Sequence, residues 1–320
     1  MDRRALGKSG IEASVVGLGC NNFGRVGTVT EGQEGTTAVM NAALDAGVTF
    51  FDTADIYGGA WGVSETLMAE ALRGRRDEAV IATKFGHIAV ATPLDAVGLK
   101  GSRAYLRAAV DASLSRLGID AIDLFQQHTP DPNVPIEETL LALAELVTEG
   151  KIKAYGHSQF SVEQVHAADA AAASLGVVPF VTSQDELSLT ARAVEADGRL
   201  VAAHEAGMVF LPFFPLANGL FTGKFTRTKR PAGTRIADLR PHLAEGADWD
   251  AMEAYQALCD ARGITMLEAT IGWFLAMPVV GSVIAGATRP EQIAANAAAA
   301  SAWSPTADDI GAIDRLFPVA

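Results

Sequence analysis

The chain of 320 residues is poor in cysteine, in clustered positive charge and in long apolar runs, and each shortage closes off a class of protein. Cys20 and Cys259 stand far apart and form no Cys-x-x-Cys pair. Neither a disulfide framework nor a thiolate metal site is available to them, and no metal is expected. Both read as small buried fillers. Lys and Arg number 25 against 38 Asp and Glu, a formal charge of −13, and Arg73 to Arg76 is the nearest approach to a basic cluster. A nucleic-acid binder would present a basic face, so no nucleic-acid partner is expected. The most apolar stretch, 266–287, is broken by Glu268 and Pro278 and falls short of a spanning helix. The segment Met1 to Gly7 carries charge with no apolar core after it, unlike a signal peptide. A cytoplasmic protein without a membrane partner is expected.

Two further features are missing. No G-x-G-x-x-G loop follows the first predicted strand; Gly17-Leu18-Gly19-Cys20-Asn21-Asn22 lacks the third glycine. No linker interrupts the chain, so residues 1–320 are expected to form one domain.

What is present is alternation, in a chain 49% hydrophobic and 20% charged that predicts a large buried core. Apolar runs predict strands near 15–18, 49–52, 80–84, 122–127, 154–158, 181–186, 208–213 and 283–285. Helical spacing predicts helices near 36–46, 65–72, 102–117, 136–149, 161–175, 193–206 and 290–300. Ser102, Ser161 and Pro290 supply start signals, and Gly47, Gly118, Gly150, Gly176 and Gly207 each stand where a helix should stop. Repeated helix–glycine–strand units predict a parallel sheet. Eight of them with right-handed crossovers close into an α/β (β/α)8 TIM barrel, with an open doubly wound sheet as the rival. A β-hairpin in residues 1–14 is expected to cap the barrel floor. Extra C-terminal helices are expected at 249–261 and 266–276, after a long polar loop, 226–248, of the kind that serves as a lid or binding edge.

In such barrels the carboxyl ends of the strands face the active site. Those ends supply Asp52, Tyr57 in the loop after it, Lys84 and His128. Each has a plain structural reading: a helix cap, a loop aromatic, a solvated strand end and a hydrogen-bonded histidine before Pro130. Their joint appearance in this order is harder to explain by packing. The segment Phe50-Phe51-Asp52-Thr53-Ala54-Asp55-Ile56-Tyr57-Gly58 resembles the signature of the aldo-keto reductase superfamily. Ala82-Thr83-Lys84 resembles its lysine segment and Asp123-Leu124-Phe125-Gln126-Gln127-His128 its histidine segment. Phe213-Phe214-Pro215-Leu216, Thr222-Gly223-Lys224, Ala285-Gly286-Ala287-Thr288, Gln292 and Asn296 continue the match in order.

Physical chemistry gives the four residues complementary roles. Hydride arriving at a carbonyl carbon puts negative charge on oxygen, which calls for a proton donor and a positive field. A free phenol has a pKa about three units above neutrality, so lowering it takes roughly 4 kcal/mol of preference for the phenolate. Lys84 beside Tyr57 is expected to supply this, Asp52 to keep the buried ammonium charged, and His128 to orient the carbonyl oxygen. The resemblance implies the same roles.

The resemblance further implies a nicotinamide dinucleotide, NADPH with NADH possible. Ser158, Gln159 and Gln184 would meet the carboxamide, with Gln159 standing where the family usually has Asn. Phe213 would stack on the ring in place of the commoner Tyr or Trp. Leu216, Asn218 and Gly219 would follow the pyrophosphate and Asn296 the adenine, while Phe214 replaces a serine near the phosphates. Gly286, Thr288 and Gln292 are uncharged in a region where many relatives carry a basic residue. Lys224 and Arg289 remain to meet a 2′-phosphate. Phe23, Trp61, Phe85, His87 and His157 are expected to line a substrate pocket whose apolar character suits a small aldehyde or ketone better than a sugar phosphate. Two other functions stay open at this stage. One is a redox-sensing accessory subunit resembling potassium-channel β-subunits, the other a lyase using Lys84 as a Schiff base. Either a monomer or a small homo-oligomer is compatible with the sequence.

Overall fold

Eight strands close into a barrel in the computed structural model, which describes residues 1–319. A hairpin precedes it: β1 (Arg3–Ala5) pairs antiparallel with β2 (Glu12–Ser14). The barrel strands are β3 (Val16–Gly19), β4 (Phe50–Asp52), β5 (Val80–Phe85), β6 (Ile122–Gln127), β7 (Ile152–Ser158), β8 (Thr182–Glu186), β9 (Val209–Phe213) and β10 (Val283–Gly286). Neighbours run parallel in sequence order, and β10 closes the ring by pairing with both β9 and β3. The predicted barrel is present, and the open sheet is not.

Side chains alternate across each strand, so every second residue points inward. Phe50, Ala82, Leu124, Ala154, Val181, Leu211 and Ile284 pack together as the barrel interior. Leu6 and Ala13 of the hairpin join this cluster and close the floor. Arg4 ties the hairpin down by donating to the carbonyls of Leu275 and Val280 at 2.6 and 2.5 Å. Two residues further along β4, β5 and β6 come Asp52, Lys84 and Gln126, and Gln184 of β8 joins them through its hydrogen bond to Asp52. The apolar plug therefore ends where the polar layer begins. Gly156 has no room for a side chain: a Cβ there would lie 1.9 Å from Thr182 Oγ1.

Around the barrel lie α1 (Gln33–Asp45), α2 (Val63–Ala71), α3 (Arg103–Leu117), α4 (Ile136–Thr148), α5 (Val162–Leu175), α6 (Ala193–Ala196), α7 (Arg199–Glu205), α8 (Arg235–Leu239), α9 (His242–Glu245), α10 (Trp249–Ala261), α11 (Met266–Leu275), α12 (Pro290–Ala299) and α13 (Ala307–Leu316). The start signals act as read. Ser102 accepts from Tyr105 N, and Ser161 forms a reciprocal capping box with Gln164. Gly118 and Gly176 stop α3 and α5 in the left-handed region, at φ 63° and 66°.

Three segments differ from the sequence reading. The helix expected over 193–206 is two, because Gly198 adopts φ 85° between them, and the Asp197 carboxylate accepts from Arg199 N at the start of the second. Helix α13 was not anticipated, although Thr306 and Asp309 form a capping box ahead of Ile310 and Ile313. The 226–248 loop contains the short helices α8 and α9 rather than irregular chain alone, the first capped by Thr234. No helix among the described residues is long and apolar enough to cross a membrane.

Candidate active site

The polar layer above the apolar plug converges on Asp52. Lys84 Nζ donates to both carboxylate oxygens of Asp52, at 2.8 and 2.7 Å, and to the Thr53 carbonyl at 2.9 Å. Gln184 Nε2 donates to Asp52 Oδ1 at 2.9 Å, with Gln126 Nε2 further off at 3.4 Å. Strand register explains the gathering: Asp52 is level with Ala82 and Gly19, and Lys84 with Gln126. Tyr57, in the loop after β4, brings its hydroxyl to 3.4 Å from Lys84 Nζ. His128, just past β6, sets its ring edge-to-face against Tyr57 at 5.8 Å. The four candidate catalytic residues thus share one end of the barrel.

Electrostatics in this cluster differ from the expectation in one respect. Burial works against the Lys84 ammonium, but Asp52 and Tyr57 outweigh it and hold its pKa above the ordinary lysine value. An ammonium so engaged is no free amine, which disfavours a Schiff-base role. The Tyr57 phenol is also held above its ordinary value: burial raises it, Lys84 pulls it down, and Asp52 pushes it up again. Without a substrate, then, the phenol keeps its proton more firmly than free tyrosine does. Burial is the main reason, and Asp52 adds to it by opposing the field that Lys84 exerts. Burial, then Lys84 and His87, hold His128 well below the ordinary histidine value, so its ring is neutral. His87 packs edge-to-face on it at 4.8 Å.

The expected cofactor residues form an arc from β7 round to α12. Ser158, the last residue of β7, is in register with Gln184 of β8, but the amide of Gln184 is turned to Asp52. Gln159 is exposed, and its Nε2 donates to the His128 carbonyl at 3.2 Å. Phe213 meets Phe214 edge-to-face at 5.2 Å. Backbone strain concentrates here: among the described residues, the non-glycine positions at positive φ are Gln159, Phe214, Ala217 and Asn218. Each costs on the order of 1–3 kcal/mol, a pattern typical of ligand-clasping loops. Asn218 Oδ1 is buried without a hydrogen-bond partner. Gly219, at φ 102°, packs against the Lys224 amine, where a Cβ would lie 3.1 Å from Nζ. Gly286 is similarly bare, with a Cβ falling 3.2 Å from Asn22 Nδ2. Leu216 and Asn296 are buried. Thr288 donates through its backbone to Gln292, while Arg289 stands at the N-cap of α12 with its side chain exposed.

The pocket residues need correction. Phe23, Phe85 and His157 are fully buried and line no open space. Phe85 is one residue past the inward Lys84, so alternation turns it out to stack on Phe125 at 4.6 Å. His157 precedes the inward Ser158 and for the same reason stacks on Phe160 at 4.4 Å. Burial pushes its pKa down to about 3, and neither ring nitrogen has a partner. Phe23 lies in the layer between barrel and helices. Trp61 lies over the Arg116 guanidinium, 4.1 Å from its ring centre, and Glu65 in turn pairs with Arg116 at 2.6 Å. That accounts for Trp61 without a substrate. His87 remains at the mouth.

Other residues there were missed. Gln126 could have been found by counting inward parity from Leu124. Asp55 is buried with both oxygens unpaired, and burial, then Glu65, push its pKa up to about 7. The mouth is also not simply apolar. The capped turn at Thr234 lays Arg235 over Phe214, and its Nη1 reaches 3.4 Å from both Asn21 Oδ1 and Asn22 Oδ1.

Comparisons with known proteins agree with this geometry. A model of the family described as the aldo/keto reductase family matches residues 15–317. The chain is 32% identical to an Escherichia coli protein named L-glyceraldehyde 3-phosphate reductase, over 98% of this chain and 92% of that protein. It is 34% identical to aldo-keto reductase YhdN of Bacillus subtilis, over 92% of this chain and 87% of that one.

Proposed function

Because this chain belongs to the aldo/keto reductase family, whose members are oxidoreductases acting on small carbonyl compounds, we propose that it reduces an aldehyde or ketone to the alcohol with Tyr57 as general acid. The observation that carries the reading is the contact of the Tyr57 hydroxyl with a lysine that is itself locked to a carboxylate.

A reduced nicotinamide, when bound, supplies the hydride. The residues present suit such a dinucleotide: a strained 213–219 segment, the bare Gly219 and Gly286, and a buried unpaired Asn218 oxygen. Phe213 would face the ring, Ser158 and Gln184 the carboxamide, and Leu216, Asn218, Gly219 and Lys224 the phosphates. Gln159, Gly286, Thr288, Gln292 and Asn296 complete the arc. Arg289 and Lys224 favour NADPH over NADH, since each offers a cation without a carboxylate partner among the described residues.

The chain's own residues manage the proton. Tyr57 holds it at Oη until negative charge develops on the carbonyl oxygen. A phenol need not be acidified to protonate an alkoxide, which is about as basic as hydroxide, the conjugate base of water with pKa about 15.7. Lys84 stabilises the phenolate that remains, at the moment its charge appears. Asp52, gripped by Gln184 and Gln126, keeps Lys84 protonated and in place. His128, being neutral, can donate a hydrogen bond to the carbonyl oxygen without competing as an acid.

The test is a spectrophotometric screen of aldehydes and ketones with both reduced cofactors, repeated on Tyr57→Phe. The variant should lose about 10²–10⁴-fold in turnover while binding cofactor within twofold of the parent. Near-normal turnover in Tyr57→Phe would remove Tyr57 as the acid. Absence of any cofactor binding would sink the whole reading.

A further inference from the structure

Asp55 stands two residues before Tyr57, and the mechanism above gives it no part. Its side chain is buried, and neither carboxyl oxygen has a hydrogen-bond partner among the described residues. Two donors beside it are buried and unpaired in the same way, Trp61 Nε1 and Arg116 Nη1. Their neighbours are engaged. Glu65, fully buried on α2, accepts from Thr83 Oγ1 and from Arg116 Nε at 2.6 Å each. Arg116 of α3 also donates to Ser113 Oγ at 3.2 Å, and the Trp61 ring lies over its guanidinium. Lys100, just before α3, donates to the His87 carbonyl at 2.9 Å and pairs with Asp95 at 3.2 Å, while the Tyr105 hydroxyl of α3 meets Thr92 Oγ1. Burial, then Glu65, push the Asp55 pKa up to about 7, and Arg116, Trp61 and Lys100 oppose them. An acceptor and two donors are thus left over in one buried place, at a cost in stability until they meet.

Backbone bonds tie this place to the phenol. Asp55 N donates to the Lys84 carbonyl at 3.2 Å and Tyr57 N to that of Ala54 at 3.1 Å. Gly62 N donates to the Asp55 carbonyl at 2.6 Å and Ser64 N to that of Tyr57 at 3.1 Å. The turn has no slack at its glycines: a Cβ on Gly58 would lie 2.7 Å from the Phe23 carbonyl oxygen, and one on Gly62 2.1 Å from Arg116 Cδ. Asp55 and Tyr57 therefore move together. Beyond burial, Lys84 and Asp52 act most on the Tyr57 hydroxyl, so the reach of Asp55 is through the backbone. We propose that Asp55 is a positioning residue for the Tyr57 phenol: its ionised carboxylate takes the free Trp61 and Arg116 N–H groups and locks the 55–64 turn with the hydroxyl against Lys84. A carboxylate is the stronger acceptor, because a charge-assisted hydrogen bond is about twice as strong as a neutral one. When the carboxyl regains its proton, that pull weakens and the turn loosens. The inference rests on Tyr57 acting as the acid of a carbonyl reductase.

The experiment compares the whole protein with Asp55→Asn and Trp61→Phe in two arms. In the first, kcat for benzaldehyde with saturating NADPH is followed from about pH 5 to about pH 9. In the parent it rises as pH passes through about 7 and then levels. Asp55→Asn loses the rise and falls about tenfold or more below the plateau, with the KM for NADPH within twofold, because small misplacements of a reacting group are costly. Trp61→Phe takes one donor from the carboxylate and moves the rise to higher pH, which a merely structural Asp55 would not show. The second arm needs no turnover. Ultraviolet difference titration follows ionisation of the Tyr57 phenol in the parent and in Asp55→Asn, each against its own Tyr57→Phe counterpart. Loss of the hold on Lys84 moves that ionisation to higher pH in Asp55→Asn. The inference is overturned if the rise in kcat persists in Asp55→Asn, or if the Tyr57 ionisation is the same with and without the Asp55 carboxyl. An unmoved rise in Trp61→Phe overturns it even where Asp55→Asn fails to fold. Should the parent reduce no carbonyl compound while the Tyr57 ionisation still shifts, the reductase reading fails and the link from Asp55 to Tyr57 stands.

Discussion

The Asp52–Lys84 pair invites a double-mutant cycle, because both partners are buried and the donors around them can be counted. In Asp52→Asn, one of two acceptor oxygens becomes an NH2 group facing Lys84, Gln184 or Gln126. Breaking a buried pair from one side costs about 3–5 kcal/mol. Lys84→Met strands the carboxylate with only the two glutamine amides and should cost a similar amount. The double variant leaves no charge uncompensated, so its loss should resemble one single variant rather than their sum. That leaves about 3 kcal/mol or more of coupling. A pH signature accompanies it. In the parent, the Lys84 pKa is raised, so its contribution is intact at neutral pH and fades only as pH climbs through the raised value. In Asp52→Asn burial acts unopposed by the carboxylate, and buried lysines can fall to pKa about 5–6. The unfolded chain then binds the extra proton at neutral pH, so stability of the variant should rise with pH, by up to about 1.4 kcal/mol per unit. Urea unfolding at several pH values measures both effects. Additivity of the single losses within about 0.5 kcal/mol would refute the reasoning, as would a flat pH response in Asp52→Asn.

Other outcomes follow from single observations. His157, with its pKa near 3 in the fold, is neutral where an unfolded histidine is charged, so the parent should lose about 2 kcal/mol of stability as pH falls from 7 to 5. His157→Phe should abolish most of that loss and leave cofactor binding unchanged; impaired binding would return His157 to the pocket. Gly156→Ala places a methyl on Thr182 Oγ1 and should destabilise by about 1–3 kcal/mol in thermal unfolding, with a stable variant arguing against the close approach. A neutral His128 predicts no kinetic ionisation of its own near pH 6.5 in kcat/KM, and a limb there that vanishes in His128→Asn would contradict its lowered pKa.

Much of the fold was legible because its signals are local. Caps at Ser102 and Ser161 sit within three residues of what they bond, and glycine stops lie next to the helices they end. The same holds for Asp52 and Tyr57, which lie in one short stretch, the end of β4 and the loop after it. Errors arose where a neighbour in sequence was taken for a neighbour in space. Phe85 adjoins Lys84 and His157 adjoins Ser158, yet one residue along a strand is the opposite face of the sheet. Parity alone would have corrected both.

The sequence alone specified the barrel, since repeated short-range patterns leave few ways for the chain to close, and it named the four residues that the fold brings to one end of it. Only the tertiary structure decided the state of that set. Gln184 reaches Asp52 across 132 positions, Arg235 reaches Asn21 across 214, and no local pattern encodes either meeting. Protonation was undecidable in the same way: Tyr57 holds its proton, and His128 stays neutral, because of how deeply each is buried and which charges stand beside it. Depth and company exist only once the barrel has closed.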